Sequence, residues 1–315
     1  RHVAPPSSLP TSAFPQPECH GSEGRAPWVA HVHRLVVKIG SSTLASDPEV
    51  YARIARVLLE QAARGTSVVL VSSGAIALGL RVLGLKTKPT EIAKLQAAAA
   101  AGQSSLIRRW EEAFEKVGGR VAQVLLTHAD LSDRTRANNA RAALDELLAA
   151  GVVPIINEND TVAVDEIRFG DNDQLAALVA ALVGADLLVL LSDVAGLLDH
   201  DGVRVSCVRD VEREALPLVR TPTGPRLGTG GMASKLEAAR RGTLAGAAVV
   251  IADARSDTAL RDVLHGADVG TLFVPPPERL AARKHWILFT LRPKGCVLVD
   301  AGAADALERR GGSLL

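Results

Sequence analysis

Residues 152–183 read VVPIINENDTVAVDEIRFGDNDQLAALVAALV. The apolar, mostly β-branched run Val152-Val153-Pro154-Ile155-Ile156 is followed by a polar loop over 157–173. An apolar helical pattern then begins at Leu175, Ala176, Leu178, Val179 and Leu182. This order predicts strand, long loop, helix. In parallel α/β sheets, ligands sit beyond the carboxyl ends of the strands, where such a loop lies. The seventeen loop residues hold four Asp, two Glu and three Asn. That composition suits either the grip on a small polar ligand or a plain solvated acidic loop.

Outward from this stretch the alternation continues over most of the chain. Strand-like runs fall at 35–39, 68–72, 121–126, 152–156, 187–191 and 248–251, and helical periodicity at 48–64, 75–83, 91–116, 138–150, 174–183 and 232–245. Strands alternating with helices predict an α/β fold, a mainly parallel central sheet with helices on both faces. Asp47 followed by Pro48 predicts an N-cap and first helical position. After Pro275-Pro276-Pro277 the character changes, and 286–291 and 296–299 predict short strands. The first thirty residues carry six prolines and no apolar signal-peptide core, which predicts a disordered extension over 1–30. The expected organisation is therefore that extension, a main domain over 31–275, and a linker with a short remainder over 276–315.

Composition narrows the class. Aromatics make up only 3%, too few for base-stacking platforms, and the net charge of +1 offers no electrostatic footprint for nucleic acid or a membrane surface. The longest apolar stretch, 176–191, is interrupted by Gly184 and Asp186 and is too short to span a bilayer. Cys19, Cys207 and Cys296 are scattered, odd in number and in no metal spacing, which suits a reducing, cytoplasmic setting.

Three glycine-bearing loops follow strand-like or polar segments. Lys38-Ile39-Gly40-Ser41-Ser42 ends the first strand: its lysine either meets an anion at the strand end or snorkels from an edge. Gly40 and the serines offer donors without bulk, as phosphate binding requires. Ser72-Ser73-Gly74-Ala75 opens a helix, either as a carboxylate or phosphate site or as a plain N-cap. Gly228-Thr229-Gly230-Gly231-Met232-Ala233-Ser234-Lys235 combines flexible backbone, a helix start and a lysine in its first turns, the equipment for cradling polyphosphate. Ser192-Asp193 adds a polar end to a very apolar strand, and Asp193-Val194-Ala195-Gly196 reads equally as a turn. Neither GxxxxGKS nor GxGxxG occurs.

Taken together, VVKIGSS, VLVSSGAIALG, AAGQ, PIINENDTVAVDEIRFGDND, LLVLLSDVAGL and LGTGGMASK resemble the amino acid kinase family, in order from about residue 35 to residue 273. NEND followed by FGDND is similar to the branch that acts on L-glutamate. The resemblance implies ATP-dependent phosphorylation of the glutamate γ-carboxylate to L-glutamyl 5-phosphate, the first step of proline biosynthesis, with the glutamate side N-terminal and the ATP side C-terminal in the domain. It implies that Lys38 and Lys235 flank the transferred phosphoryl group and that Asp173 orients them. Ser73, Gly74, Asn157, Asp160 and Asn172 match the glutamate side. Gly40, Ser192, Asp193, Thr229, Gly230, Gly231, Met232, Ala233 and Ser234, with Lys38 and Lys235, match the ATP side. Mg²⁺ is implied as the ATP complex, with no metal cage of protein side chains. Proline as feedback inhibitor, homo-oligomers, and glutamate-5-semialdehyde dehydrogenase as a partner taking the labile product are implied too.

The sequence departs from the family pattern at His128, at Ala137-Asn138, at Leu198–Gly202, where the usual tyrosine is missing, and at Ala254. None is a proposed catalytic position, so altered nucleotide-side packing or affinity is the expectation. Residues 283–315 resemble the opening of a PUA module that stops too early to fold as one. Two rival readings stand beside this one. An amino acid kinase for another acid is opposed by the NEND and GDND motifs, and an inactive regulatory module by Lys38, Asp173 and Lys235.

Overall fold

The computed structural model describes residues 19, 21–29, 32–162, 172–219, 231–277, 280–291, 299–300, 302–303 and 306. Thr229, Gly230, residues 163–171 of the acidic loop and Cys296 lie outside the described residues.

The chain opens with α1 (Gly21–Val29), then β1 (Arg34–Ile39), α2 (Ser41–Ser46), α3 (Val50–Ala63), β2 (Ser67–Ser72), α4 (Ala75–Val82) and α5 (Ile92–Glu115). It continues with β3 (Val121–Leu126), α6 (His128–Ser132), α7 (Arg134–Ala149), β4 (Val153–Glu158), α8 (Asn172–Val183), β5 (Leu187–Ser192) and β6 (Cys207–Val208). After a π-turn and a 3-10 turn come α9 (Met232–Leu244), β7 (Ala248–Asp253), α10 (Ala259–Leu264), β8 (Thr271–Phe273) and α11 (Ala282–Phe289). The strands form one sheet in the order β3-β4-β2-β1-β5-β7-β8-β6. Every pairing is parallel except that of β7 with β8.

Strand residues alternate between the two faces, and both faces are buried. Leu35, Val37, Ile39, Leu70 and Val189 point into one core layer with Trp110 and Phe114 of α5. Val36, Val69, Val71, Leu188 and Leu190 point into the other, against Leu175 and Val179 of α8 and Leu236 of α9. Continuous apolar runs in β1, β2 and β5 follow from this double coverage. Lys38 shares the face of Val36, so its side chain is directed toward α8 and α9.

Some expectations need correction. Within the supposed disordered extension, residues 21–29 form α1, because Arg25 and Cys19 fasten that segment to the body. Arg25 is 3% exposed and ion-paired to Asp268 at 2.8 Å. Cys19 and Cys207 form a disulfide, so these two cysteines are not the free thiols that the reducing-compartment reading supposed. Of the strand expected at 286–291, residues 286–289 are helical instead: Trp286 Nε1 donates to the Leu131 carbonyl at 3.0 Å, and His285 and Phe289, one turn apart, are buried. Helix α7 starts four residues before the expected 138, since Asp133 caps it by accepting from the Arg136 N–H at 2.8 Å. Glu49, and not Asp47, is the N-cap of α3; Asp47 instead accepts from the Glu49 N–H at 2.9 Å and pairs with Arg53. Among the described residues, no helix is long and apolar enough to cross a membrane.

Candidate active site

Polar side chains gather beyond the carboxyl ends of β1, β2, β4 and β5. Lys38, the penultimate residue of β1, lies in register with Val71 of β2 and Leu190 of β5. Its ammonium is 2.6 Å from Asp173 Oδ1. Asp173 is the second residue of α8 and 1% exposed. Its other oxygen accepts from the Lys235 ammonium at 3.0 Å. Lys235 stands in the first turn of α9, and Gln174 Nε2 fixes the two helix starts together by donating to the Ser234 carbonyl at 2.9 Å.

Burial alone would raise the Asp173 carboxyl, but the Lys38 and Lys235 ammoniums outweigh it and hold the group below its ordinary value. The carboxylate therefore stays ionised, further favoured by its place at a helix N-terminus. By itself the trio carries one net positive charge in a nearly dry setting, an arrangement that an arriving anion balances.

A second polar strip adjoins it through Asn172. The Asn172 amide donates to Ser73 Oγ at 2.7 Å, to Asn157 Oδ1 at 2.9 Å and to the Ser72 carbonyl at 3.3 Å. Gly74 caps α4 at φ 110°, a left-handed conformation that favours glycine. Asp160 lies two residues past the end of β4, half-buried in a turn. Ser72 is positioned from behind, its Oγ accepting from Trp110 Nε1 at 2.9 Å.

On the other side, Gly40 follows β1 without bulk beside Lys38: a Cβ there would lie 3.7 Å from the Lys38 ammonium. Ser192 ends β5 and donates to Asp193 Oδ1 at 3.0 Å, while Asp193 is exposed. Ser192 is level with Asp253 of β7, which forms a two-pronged pair with Arg255. Gly231, Met232, Ala233 and Ser234 lead into α9. Thus Lys38, Asp173 and Lys235 meet, Asn172, Ser73 and Asn157 meet, and Ser192-Asp193 stands two strands from Ser73. Among the described residues, no group of three or more His, Cys, Asp or Glu side chains gathers as a metal cluster.

Reading the residues alone missed Gln174, Trp110 and the two helix glycines Gly79 and Gly102, which hold the site's scaffolding. Only the glycines carry a local signal, as isolated breaks in helical patterns. A cavity of about 930 Å³ lies elsewhere, at the amino ends of β1 and β2, lined among others by Arg34, Arg141, Leu182 and Trp286. It does not include the lysines.

A parallel sheet with two lysines sharing one buried aspartate defines a class, and comparison with known proteins agrees with it. The chain belongs to the amino acid kinase family, whose family pattern matches residues 33–253. It is similar to the glutamate 5-kinase of Citrifermentans bemidjiense, at 48% identity over 295 residues, 90% of this chain and 79% of that protein. To the glutamate 5-kinase of Myxococcus xanthus it is 49% identical over 292 residues, 90% of this chain and 77% of that one. Among solved structures, N-acetylglutamate synthase from Neisseria gonorrhoeae, complexed with coenzyme A and L-arginine, shares the fold with a TM-score of 0.55. That match is 17% identical and covers 80% of this chain and 64% of the other, a little under two thirds.

Proposed function

We propose that the chain transfers the γ-phosphoryl group of ATP to the side-chain carboxylate of L-glutamate, giving ADP and L-glutamyl 5-phosphate, the first step of proline biosynthesis. The observation that carries this reading is the buried Asp173 carboxylate shared by Lys38 at 2.6 Å and Lys235 at 3.0 Å. Phosphoryl transfer is chiefly positioning and charge stabilisation, and fixed cations on either side of the migrating group supply both. The acceptor carboxylate, which in water titrates near about pH 4.3, is already ionised at neutral pH, so no general base is needed. Mg²⁺ enters with ATP as part of the substrate.

In this reading Ser73, Asn157 and Asn172 receive the glutamate. Ser73 Oγ accepts from Asn172, so its own O–H can turn to a substrate carboxylate oxygen, while Asp160 suits the ammonium. Gly40, Ser192, Asp193 and the segment from Thr229 to Lys235 receive the nucleotide. The product is a labile acyl phosphate, which fits a reductase partner, glutamate-5-semialdehyde dehydrogenase. Proline inhibition, a homo-oligomer and a cytoplasmic setting belong to the same proposal.

The test is ATP- and Mg²⁺-dependent γ-glutamyl hydroxamate formation from L-glutamate, L-aspartate and N-acetylglutamate, with and without proline. Glutamate-specific, proline-inhibited product is expected, and turnover of another acid instead would overturn the substrate. Asn172→Ala is expected to raise KM for glutamate about 10- to 100-fold, the loss of a hydrogen bond to a charged group, with KM for ATP little changed. An unchanged glutamate dependence would remove Asn172 from the glutamate side.

A further inference from the structure

The Cys19–Cys207 disulfide joins positions 188 residues apart, and both residues are buried, at 2% and 6% exposure. It fastens the segment leading into α1 to β6. Six residues further along, Arg25 makes the second fastening. Its guanidinium donates to the carbonyls of Ser206 at 2.6 Å, Gly270 at 2.9 Å and Ala267 at 3.4 Å, and to that of Val269. Desolvation lowers its pKa to about 10 in spite of Asp268 beside it. Burying this charge is costly, and α1 has nine residues with Pro27 inside it. A helix of that length does not persist alone in water. The covalent link supplies, by limiting the freedom of the detached state, what the helix lacks.

From Arg25 the contacts lead toward the nucleotide side. Gly270 precedes Thr271, whose Oγ1 accepts from the Leu197 N–H at 2.8 Å and donates to the Val205 carbonyl at 2.6 Å. Gly196, at φ 140°, fits so closely that a Cβ there would lie 2.6 Å from that hydroxyl. Leu197 is four residues past Asp193 on the same turn. The α1 segment, the start of β8 and the turn after β5 are thus in direct succession.

We propose that Cys19–Cys207 is a reversible thiol–disulfide exchange site for a dithiol reductant, and that opening it releases α1 and weakens nucleotide binding. The link to the nucleotide rests on the assignment of Ser192 and Asp193 made above. Because both sulfurs are buried, the exchange proceeds when the short α1 segment lifts locally: a thiolate of the reductant then attacks one sulfur, forming a mixed disulfide and expelling the other sulfur as a thiolate. The reductant's second thiol then displaces the first. Two electrons pass to the protein disulfide, two protons end on Cys19 and Cys207, and the reductant leaves as its own disulfide. Without the tether, Arg25 returns to water, and the Ser206 and Gly270 carbonyls each lose one of two donors, keeping the Leu272 N–H and Arg204 respectively.

The full chain is compared before and after dithiothreitol treatment by thiol alkylation with mass spectrometry, hydrogen exchange, and equilibrium binding of ATP. Two further thiols are expected on reduction, with faster exchange in residues 21–29, 204–208 and 269–273. The Kd for ATP is expected to rise about fivefold or more, a typical coupling, and to recover on reoxidation. Cys19→Ser is expected to hold the reduced-state Kd with or without reductant. Three alkylatable cysteines in the untreated protein would overturn the proposal, as would complete reduction with unchanged exchange. ATP bound equally by both forms overturns the coupling alone, whereas ATP bound by neither overturns the nucleotide assignment with it.

Discussion

Asp173→Asn is expected to lower kcat/KM for phosphoryl transfer by about 10³-fold or more, the scale of removing a preorganised electrostatic element from a site of this kind. Asparagine keeps the shape of the side chain and removes its charge. Lys38 and Lys235 then face each other across a neutral amide. Two ammoniums ~5 Å apart repel by roughly 3 kcal/mol at an effective dielectric near 20, enough to move one lysine out of its place. The same substitution tests the electrostatics of the folded state. The Asp173 pKa is depressed in the fold below its ordinary 3.8. Its contribution to stability is therefore fully present above the unfolded value and lost as pH falls through the folded one. The difference in denaturation midpoint between parent and variant is expected to stay constant from about pH 8 to 5 and to shrink only below pH 4. Steady-state kinetics and urea melts measure both effects. A variant within tenfold of the parent rate would remove Asp173 from the chemistry.

How far the sequence reaches depends on the distance over which each feature is determined. Strands β1, β2 and β5 are legible because both their faces are buried, so short apolar runs stand out against the helices between them. Helix starts are less so: α7 begins at Arg134 because one side chain, Asp133, caps it. The two-residue β6 and the three-residue β8 are too short to leave a pattern. The run at 286–291 looks like strand material, yet Ile287 and Leu288 are exposed while Phe289 is buried, the alternation of a helix face. Helix α1 has no local signal at all, since its fold rests on a sulfur and a guanidinium that meet partners far along the chain. The site divides in the same manner. Lysine at a strand end and glycine before a helix can be read locally, but the meeting of Lys38 and Lys235 on Asp173 is tertiary. Only the likeness to a known family suggested it beforehand.

Gly102→Ala is expected to destabilise the protein by about 3 kcal/mol or more, the upper range for an overpacked interior, although it adds one methyl group to a helix and improves its helical propensity. The reason is the crossing of α4 and α5. A Cβ at Gly102 would lie 1.8 Å from the Ala75 carbonyl oxygen and 2.6 Å from the Gly79 nitrogen, both backbone atoms that no rotamer change can move. Gly79 meets α5 in the same manner, 1.7 Å from the Ala98 carbonyl oxygen. The two helices must therefore separate, and α4 begins directly after Ser73 and Gly74. Displacing it pulls Ser73 away from Asn172, so the glutamate dependence is expected to worsen before the fold is lost. Ala97, exposed on the same helix, is the control: Ala97→Ser is expected to change stability by no more than about 0.5 kcal/mol. Thermal melts read the first effect, and KM for glutamate measured well below the melting range reads the second. Gly102→Ala with the melting point of the parent would mean that the helices do not cross this closely. A lowered melting point with unchanged KM would mean that the start of α4 is held by Trp110 and Ser72 alone.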